Sequence, residues 1–324
     1  MLASVAAALV LEGALRWTVL GDRFYYQAPA YIGEHPNRAS ASFQADENVG
    51  WRMRPGAQFS FETDGRQVPY EADERGFRTG PGRDLEGRTK RIAWVGDSFA
   101  WGFGLPWGET AVSHVEAALP SCRVDVLGMP GFGVDQIAQS VRHWALPSDP
   151  DLVIALIYSD DLSRCFTAYR DKEGFNKPLF RLEDGRLVRG TEEDQPGAVR
   201  RFLERRTRLF GLGWSVVRVL GKRFGVGPWW NLNRALIDQM VDDLRANEKP
   251  VLFVHIPKRS WSKVPALGEH LRDRGAPLID LTELSDEPMD ELYFETDDHL
   301  GPLGNRFLAD QIIAWIRENA PGLI

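Results

Sequence analysis

The chain has 324 residues, of which 43% are hydrophobic and 26% are charged, and its formal net charge is −7. This length allows one large α/β domain or two small ones, with a sizeable core in either case. The excess of acidic residues argues against general nucleic-acid binding, because no overall basic field is available to hold phosphates. We therefore expect a globular protein without a nucleic-acid partner.

The N-terminal 21 residues begin with an apolar run that is interrupted by Glu12 and Arg16. The run is short for a membrane span of about 20 residues, and it lacks the basic region and clear cleavage site of a signal peptide. Two interpretations of residues 1–21 stay open. We favour a membrane anchor over an amphipathic first helix.

Residues 22–88 contain many turn-forming residues and few helical periods. This pattern predicts a β-rich extension of short strands, with one turn at Asp64-Gly65. The regular alternation of strands and helices begins only after this segment.

From residue 91 onward, strands and helices alternate along the chain. Most of the predicted strands are continuously apolar, as expected for a parallel sheet that is covered on both faces. The order predicts a three-layer, doubly wound, flavodoxin-like α/β domain over residues 89–324. The predicted strands are 91–97, 124–129, 152–159, 250–257 and 278–282, and the predicted helices are 109–119, 134–145, 232–247, 262–274 and 302–318.

Residues 163–230 are too long for a plain crossover and predict a cap-like insertion in this domain. The insertion contains a predicted hairpin around Asp184-Gly185, followed by a segment, 198–224, in which basic and apolar residues are mixed. We favour a solvated helical cap over the sheet for this segment. The alternative is a surface that rests on anionic lipid headgroups.

The two cysteines fall at opposite edges of the predicted sheet. Cys122 precedes the second strand and Cys165 follows the third. A strand of about six residues separates these edges by about 20 Å, which is far beyond the reach of a disulfide. We expect two free thiols.

Polar residues follow the carboxyl ends of several predicted strands, where open α/β sheets bind their ligands. A serine hydroxyl becomes a good nucleophile only when a neighbouring base takes its proton. Ser98 follows the first strand, and His299 is the one histidine of six that is placed on this edge beside an acid. Asp297 is the candidate for orienting the imidazole, with Asp298 as its rival. Ser98 has an alternative role as a simple helix cap.

Four blocks of the chain resemble those of the SGNH, or GDSL-type, hydrolases. The resemblance covers roughly residues 90–320 and implies an esterase that needs no metal and no organic cofactor. It implies Ser98 as the nucleophile, Asp297 and His299 as the rest of the triad, and an oxyanion N–H from Gly131 beside that of Ser98. The blocks are GDSF at 96–99, GMPGFG at 128–133, YSDDL at 158–162 and DDHLGPLGN at 297–305.

The hydrophobic N-terminus and the GFRTG stretch are similar to those of membrane-anchored bacterial members of this family. The likeness implies a place in the bacterial cell envelope, facing the periplasm or the exterior, with the cytoplasm as the alternative. It also implies a small-molecule or glycan ester as substrate, with acetyl as the expected acyl group.

The third block departs from the family pattern at Asp160, where relatives carry an Asn whose amide donates to the oxyanion. An ionised carboxylate about 3 Å from the oxyanion would repel it by about 5 kcal/mol at an effective dielectric of 20. Asp160 is therefore expected to be protonated, turned away, or part of an altered chemistry. Three functions stay open: an ester hydrolase, an O-acyltransferase with the same triad, and a weak or inactive glycan-binding relative.

Overall fold

A computed structural model describes residues 2–17, 35–194, 197–260, 263–284 and 290–324. The end of the predicted anchor and the start of the predicted β-rich extension, residues 18–34, lie outside the described residues.

Ten helices and fourteen strands are assigned within the described residues. The helices are α1 Leu2–Trp17, α2 Ser98–Trp101, α3 Ala111–Ala118, α4 Val134–Ser140, α5 Asp161–Arg164, α6 Ala198–Arg206, α7 Arg208–Phe224, α8 Gly227–Ala246, α9 Pro265–Asp273 and α10 Pro302–Asn319. The strands are β1 Phe43–Asp46, β2 Gly50–Met53, β3 Gln58–Thr63, β4 Arg66–Ala72, β5 Arg78–Thr79, β6 Lys90–Val95, β7 Cys122–Val126, β8 Leu152–Tyr158, β9 Tyr169–Arg170, β10 Phe175–Asn176, β11 Phe180–Glu183, β12 Arg186–Arg189, β13 Val251–Ile256 and β14 Leu278–Asp280.

Eight strands form the central sheet in the order β14-β13-β8-β6-β7-β5-β4-β3. The five from β14 to β7 are parallel to one another. Counted along the chain, these five have the order 2-1-3-4-5 of a flavodoxin-like sheet, which places helices on both faces. All seven residues of β8 are buried, because this strand lies in the middle of the sheet with both faces covered. The predicted doubly wound α/β fold is confirmed.

The remaining three strands, β5, β4 and β3, extend the sheet in antiparallel orientation beyond β7. They come from the segment predicted as a β-rich N-terminal extension, so that part of it shares the sheet of the α/β domain. The turn between β3 and β4 has Asp64 at φ +53° and Gly65 at φ +71°. A two-residue hairpin with positive φ at both positions favours Asp-Gly, which is why this dipeptide marked the turn in the sequence.

The segment 163–230 contains the small hairpin of β11 and β12 around Asp184-Gly185 and the helices α6 and α7. Helix α7 also packs on α1, since the Glu12 carboxylate accepts hydrogen bonds from the backbone N–H groups of Arg208 at 2.8 Å and Leu209 at 2.9 Å. Of the helices in the described ranges, none combines the length and the apolar character that a membrane span requires. Cys122 and Cys165 are both buried free thiols.

Candidate active site

The serine that follows β6 is presented by a sharp change of direction in the backbone. Gly96 has φ +155°, and a Cβ at this position would lie 2.7 Å from the Ala100 side chain, so the turn requires glycine. The residue that caps α2 is Asp97, whose Oδ1 accepts from the backbone N–H of Phe99 at 2.9 Å. Because Asp97 is the cap, the hydroxyl of Ser98 is free to contact other groups.

A continuous hydrogen-bonded relay joins Ser98, His299 and Asp297. Ser98 Oγ lies 2.7 Å from His299 Nε2, and His299 Nδ1 contacts Asp297 Oδ1. The backbone N–H of His299 donates to the same carboxylate oxygen at 2.8 Å. The hydrogen bond from His299 lowers the pKa of Asp297 and outweighs the opposite effect of its partial burial. Asp298, the rival orienting residue, is exposed.

The imidazole of His299 is held in place by its surroundings. The rings of Phe99 and Phe103 lie 5.0 and 4.6 Å from it, centroid to centroid. The backbone of His299 is also held, because its carbonyl accepts a hydrogen bond from Phe294 N–H at 3.0 Å. A base that is fixed before substrate arrives loses little orientational entropy during the reaction.

Two cavities meet at this relay. The first, of about 450 Å³, contains Ser98, His299 and Gly131. Five aromatic side chains line it: Phe43, Trp51, Phe61, Phe103 and Phe175. The second, of about 510 Å³, also reaches His299 but is lined mainly by charged groups, Asp160, Arg164, Arg259, Glu295, Asp297 and Asp298 among them.

Gly131 shares the aromatic cavity with Ser98 and has φ +82°. A side chain at this position would collide with the carboxylate of Glu173, so the close approach of the two loops depends on glycine. The loop is held by the Trp51 indole, which donates to the Pro130 carbonyl at 3.2 Å. This places the backbone of the second sequence block beside the nucleophile.

Asp160 does not line the cavity that Ser98 and Gly131 share. Asp160 lines the charged cavity instead. Its Oδ2 lies 2.6 Å from Lys258 Nζ, and both side chains are about one third exposed. Of the three expectations for Asp160, the structure has the carboxylate turned away to a cation. The sequence did not indicate Lys258, which follows the fourth parallel strand and is distant from Asp160 in the chain.

Sequence reasoning also missed Arg164, the last residue of α5. Its Nη1 donates to Asp161 Oδ1 at 2.6 Å, to Asp97 Oδ2 at 2.7 Å and to the Phe132 carbonyl at 2.9 Å. Asp97 and Asp161 are fully buried. Burial raises the pKa of Asp161, and the neighbouring charge of Asp97 raises it further. The sequence offered one signal for this role. Arg164 follows Asp161 by three residues, a spacing at which an arginine and a carboxylate pair on a helix.

No family model matches the chain, and no curated protein matches it. Similar solved structures include TesA, at 12% identity over 72% of this chain and 100% of that one, with a TM-score of 0.45. A member of the lipolytic G-D-S-L family from Veillonella parvula is 12% identical over 72% of this chain and 99% of that one, with a TM-score of 0.43. An acetyl xylan esterase is 13% identical over 70% of this chain and 99% of that one, with a TM-score of 0.41. The solved structures similar to this chain thus include a member of the family that its four sequence blocks resemble.

Proposed function

We propose that the chain is an SGNH-type serine hydrolase of carboxylic esters. The observation that carries this proposal is the unbroken relay from Ser98 through His299 to Asp297 at the mouth of an aromatic cavity. A hydroxyl 2.7 Å from an imidazole nitrogen that is itself oriented by a carboxylate is the arrangement that activates a serine.

The reaction follows from the positions of these groups. His299 Nε2 takes the proton of Ser98 as Oγ attacks the ester carbonyl, and Asp297 stabilises the imidazolium that forms. The backbone N–H groups of Ser98 and Gly131 face the developing oxyanion. His299 then protonates the leaving alcohol, and water repeats the sequence on the acyl-enzyme. Ser98 Oγ also lies 3.3 Å from Asp97 Oδ2, but the shorter contact to His299 is the stronger one.

A carbohydrate or glycolipid ester with a small acyl group, such as acetyl, fits the cavity beside Ser98. Its five aromatic side chains offer apolar faces, on which the C–H face of a sugar ring packs. Glu62, Arg170 and Lys172 also line this cavity and offer hydrogen bonds to sugar hydroxyl groups. A mostly apolar pocket with a few convergent polar groups is typical of small-molecule sites.

The proposal is tested with a fluorophosphonate probe and with hydrolysis of p-nitrophenyl acetate. The wild-type protein is expected to be labelled, and Ser98→Ala to lose the label together with roughly 10⁴-fold or more of kcat. Ser159→Ala is the matched control, because Ser159 also lies beside a histidine but is fully buried. A wild-type protein that is neither labelled nor active, or a label that survives Ser98→Ala, would contradict the proposal.

We further propose that the protein rests on an anionic membrane surface in the bacterial cell envelope. The support is an outward-facing apolar surface on α1, α6 and α7, which we call the outer helical face. Its exposed members include Val10, Leu11, Val199, Phe202, Val216, Val219 and Phe224, which are between 48% and 76% exposed. Arginines flank them on α6 and α7, so the charge is complementary to anionic headgroups.

Flotation with vesicles tests this placement. The protein is expected to float with phosphatidylglycerol-containing vesicles and to bind pure phosphatidylcholine vesicles more weakly. The double variant Val219→Asp/Phe224→Asp should lower binding to the anionic vesicles by about tenfold or more, while Leu303→Asp on α10 should not. Equal binding by the double variant and the wild type would overturn the proposal. A concentration-dependent dimer without flotation would also overturn the proposal, because the outer helical face would then only join two copies of the chain.

A further inference from the structure

The site as described has two backbone donors for the oxyanion, and the side chain at the position of a third donor is a carboxylate. Asp160 cannot donate when ionised, and it faces Lys258 in the charged cavity. Loss of one oxyanion donor typically costs 10²–10³-fold in kcat. We infer that Arg164 takes the place of this donor and bonds to the oxyanion of the ester through its guanidinium. This inference rests on the proposed function.

The position of the Arg164 guanidinium supports this inference. A single nitrogen, Nη1, bonds to three of the four sequence blocks: to Asp97 beside the nucleophile, to the Phe132 carbonyl beside Gly131, and to Asp161 beside Asp160. The Asp97 oxygen that Nη1 contacts at 2.7 Å is the same oxygen that lies 3.3 Å from Ser98 Oγ. The guanidinium and the nucleophile therefore share one carboxylate oxygen as neighbour.

The guanidinium also has N–H donors that no described residue uses. Among the described residues, every side-chain hydrogen bond of Arg164 is made by Nη1, although a guanidinium carries five N–H donors on three nitrogens. Nε and Nη2 are not among the buried atoms that lack a partner in that same part of the chain. Arg164 lines both the aromatic and the charged cavity, and its side chain is 17% exposed. Nε and Nη2 are therefore accessible to a substrate oxygen.

The charge of the Arg164 guanidinium also favours this role. Asp97 and Asp161 are both fully buried and hold the cation between them. Burial opposes the charge on Arg164, but these two carboxylates outweigh it and raise its pKa above the ordinary value. The group therefore stays charged throughout the assay range. A charged donor in a site of low dielectric stabilises an oxyanion more strongly than a neutral amide does.

The packing around Arg164 makes this position rigid. A Cβ at Gly133 would lie 2.9 Å from Arg164 Cβ. The absence of a side chain at Gly133 therefore lets the second sequence block, residues 128–133, lie directly on the arginine. The Arg164 guanidinium also lies 5.7 Å from the centroid of the Tyr158 ring. A donor that is fixed in advance costs no reorganisation when charge develops on the substrate.

The experiment compares Arg164→Lys with Arg164→Lys/Asp160→Asn. Lysine keeps the positive charge between Asp97 and Asp161, but its single ammonium cannot serve them and the oxyanion together. We expect kcat of the single variant on p-nitrophenyl acetate to fall by about 10²–10³-fold with little change in KM. Asp160→Asn removes the charge that pairs this side chain with Lys258, so the neutral amide is free to turn toward the oxyanion. The double variant should then recover at least about tenfold, which a merely structural role of Arg164 would not allow.

Arg75→Lys is the matched control, since Arg75 also holds a buried carboxylate, that of Asp125, but belongs to no part of the site. It should lower the unfolding temperature without lowering kcat of the folded protein. A kcat of Arg164→Lys within threefold of wild type, or a double variant as slow as the single one, overturns the inference. Failure of the proposed function is distinguished from both, because it would leave the wild type itself inactive and unlabelled.

Discussion

The part of the chain that the structure describes contains two serine–histidine–aspartate relays, and they differ in almost everything except their hydrogen bonds. In the catalytic candidate, Ser98 Oγ lies 2.7 Å from His299. In the second relay, Ser159 Oγ lies 3.0 Å from His255 Nε2, and His255 Nδ1 lies 2.9 Å from Asp280 Oδ1. Distances alone would identify both as active sites.

The second relay is closed to any substrate. Ser159 and His255 are completely buried, and the three residues belong to three adjacent strands or their ends, β8, β13 and β14. His255 is paired in register with Asp280 across the parallel ladder. Its hydrogen bonds therefore satisfy polar groups inside the sheet and tie the strand ends together. We call it the buried relay.

The difference shows what a relay needs in order to react. Ser98 is the first residue of α2 at the carboxyl end of β6, and it lines a cavity together with Gly131. Ser159 and His255 of the buried relay are instead completely buried. Access and an oxyanion site separate a nucleophile from a structural hydroxyl, and hydrogen-bond geometry does not. The following predictions separate the two relays by experiment.

The largest contrast is expected from replacing each histidine. His299→Ala should lower kcat by about 10⁴-fold or more while leaving the unfolding temperature near that of wild type, because the ring is only partly buried. His255→Ala should lower the free energy of unfolding by about 2–4 kcal/mol, because it removes the buried imidazole that bonds to both Ser159 and Asp280. Its kcat per folded molecule should stay within threefold of wild type. Esterase rates and urea unfolding measure both, and a catalytic loss of equal size in the two variants would remove the distinction.

The next contrast comes from the two aspartates and their pH dependence. Burial raises the pKa of Asp280. The hydrogen bond and charge of His255 and the bonds from Thr282 lower this pKa by a larger amount, so the net shift is downward. The pKa of Asp297 is lowered mainly by the bond from His299. A carboxyl whose pKa is depressed by folding stabilises the protein above its ordinary value, 3.8 here, and this stability is lost as the pH falls through the folded pKa.

Asp297→Asn should therefore lower kcat by about 10²–10⁴-fold at pH 7, because the imidazole loses the acceptor that fixes its tautomer. Asp280→Asn should leave kcat of the folded protein unchanged and lower the free energy of unfolding at pH 7 by about 1–3 kcal/mol. The deficit of Asp280→Asn should shrink as the pH falls below 3.8, since wild type then loses the same contribution. Urea unfolding at pH 7 and pH 3 is the measurement, and a deficit that grows toward acid would contradict this assignment.

The parallel part of the fold could be predicted from the sequence because its signals are local. Continuous apolar runs predicted β6, β8 and β13, and β7 was predicted from an apolar run that Asp125 interrupts. The polar residues that end these runs lie on one edge once the strands are taken as parallel. The same logic gave Ser98 and His299 as neighbours although 201 positions separate them.

The parts that could not be predicted depend on pairings between distant residues. Strand β5 has two residues, and nothing in its local pattern indicates that it would pair with β7. Arg164 and Lys258 owe their roles to carboxylates on neighbouring strand ends, which periodicity does not report. The buried relay was missed for the same reason, because its register across β13 and β14 exists only in the folded sheet.

The sequence also could not predict which side of α7 faces solvent. The mixed basic and apolar pattern of residues 198–224 fits a cap with its apolar side turned inward as well as one with that side exposed. In the structure, Val216, Val219 and Phe224 are 50–61% exposed, so part of the apolar surface of α7 faces outward. Which side packs is decided by neighbours such as α8 and α9, which are not visible in the segment itself.

The smallest effect is expected at Thr282, which supports the buried relay from outside it. Thr282 Oγ1 donates to Asp280 Oδ1 at 2.7 Å, and its backbone N–H donates to the same oxygen at 2.9 Å. Thr282→Val keeps the shape and the backbone bond, so it should lower the free energy of unfolding by about 0.5–1.5 kcal/mol and leave esterase activity unchanged. Because Thr282 and His255 act on one carboxylate oxygen, the double variant Thr282→Val/His255→Ala should not show the sum of the two single losses. Additive losses in urea unfolding would mean that the two residues act independently and that the carboxylate of Asp280 is not their common target.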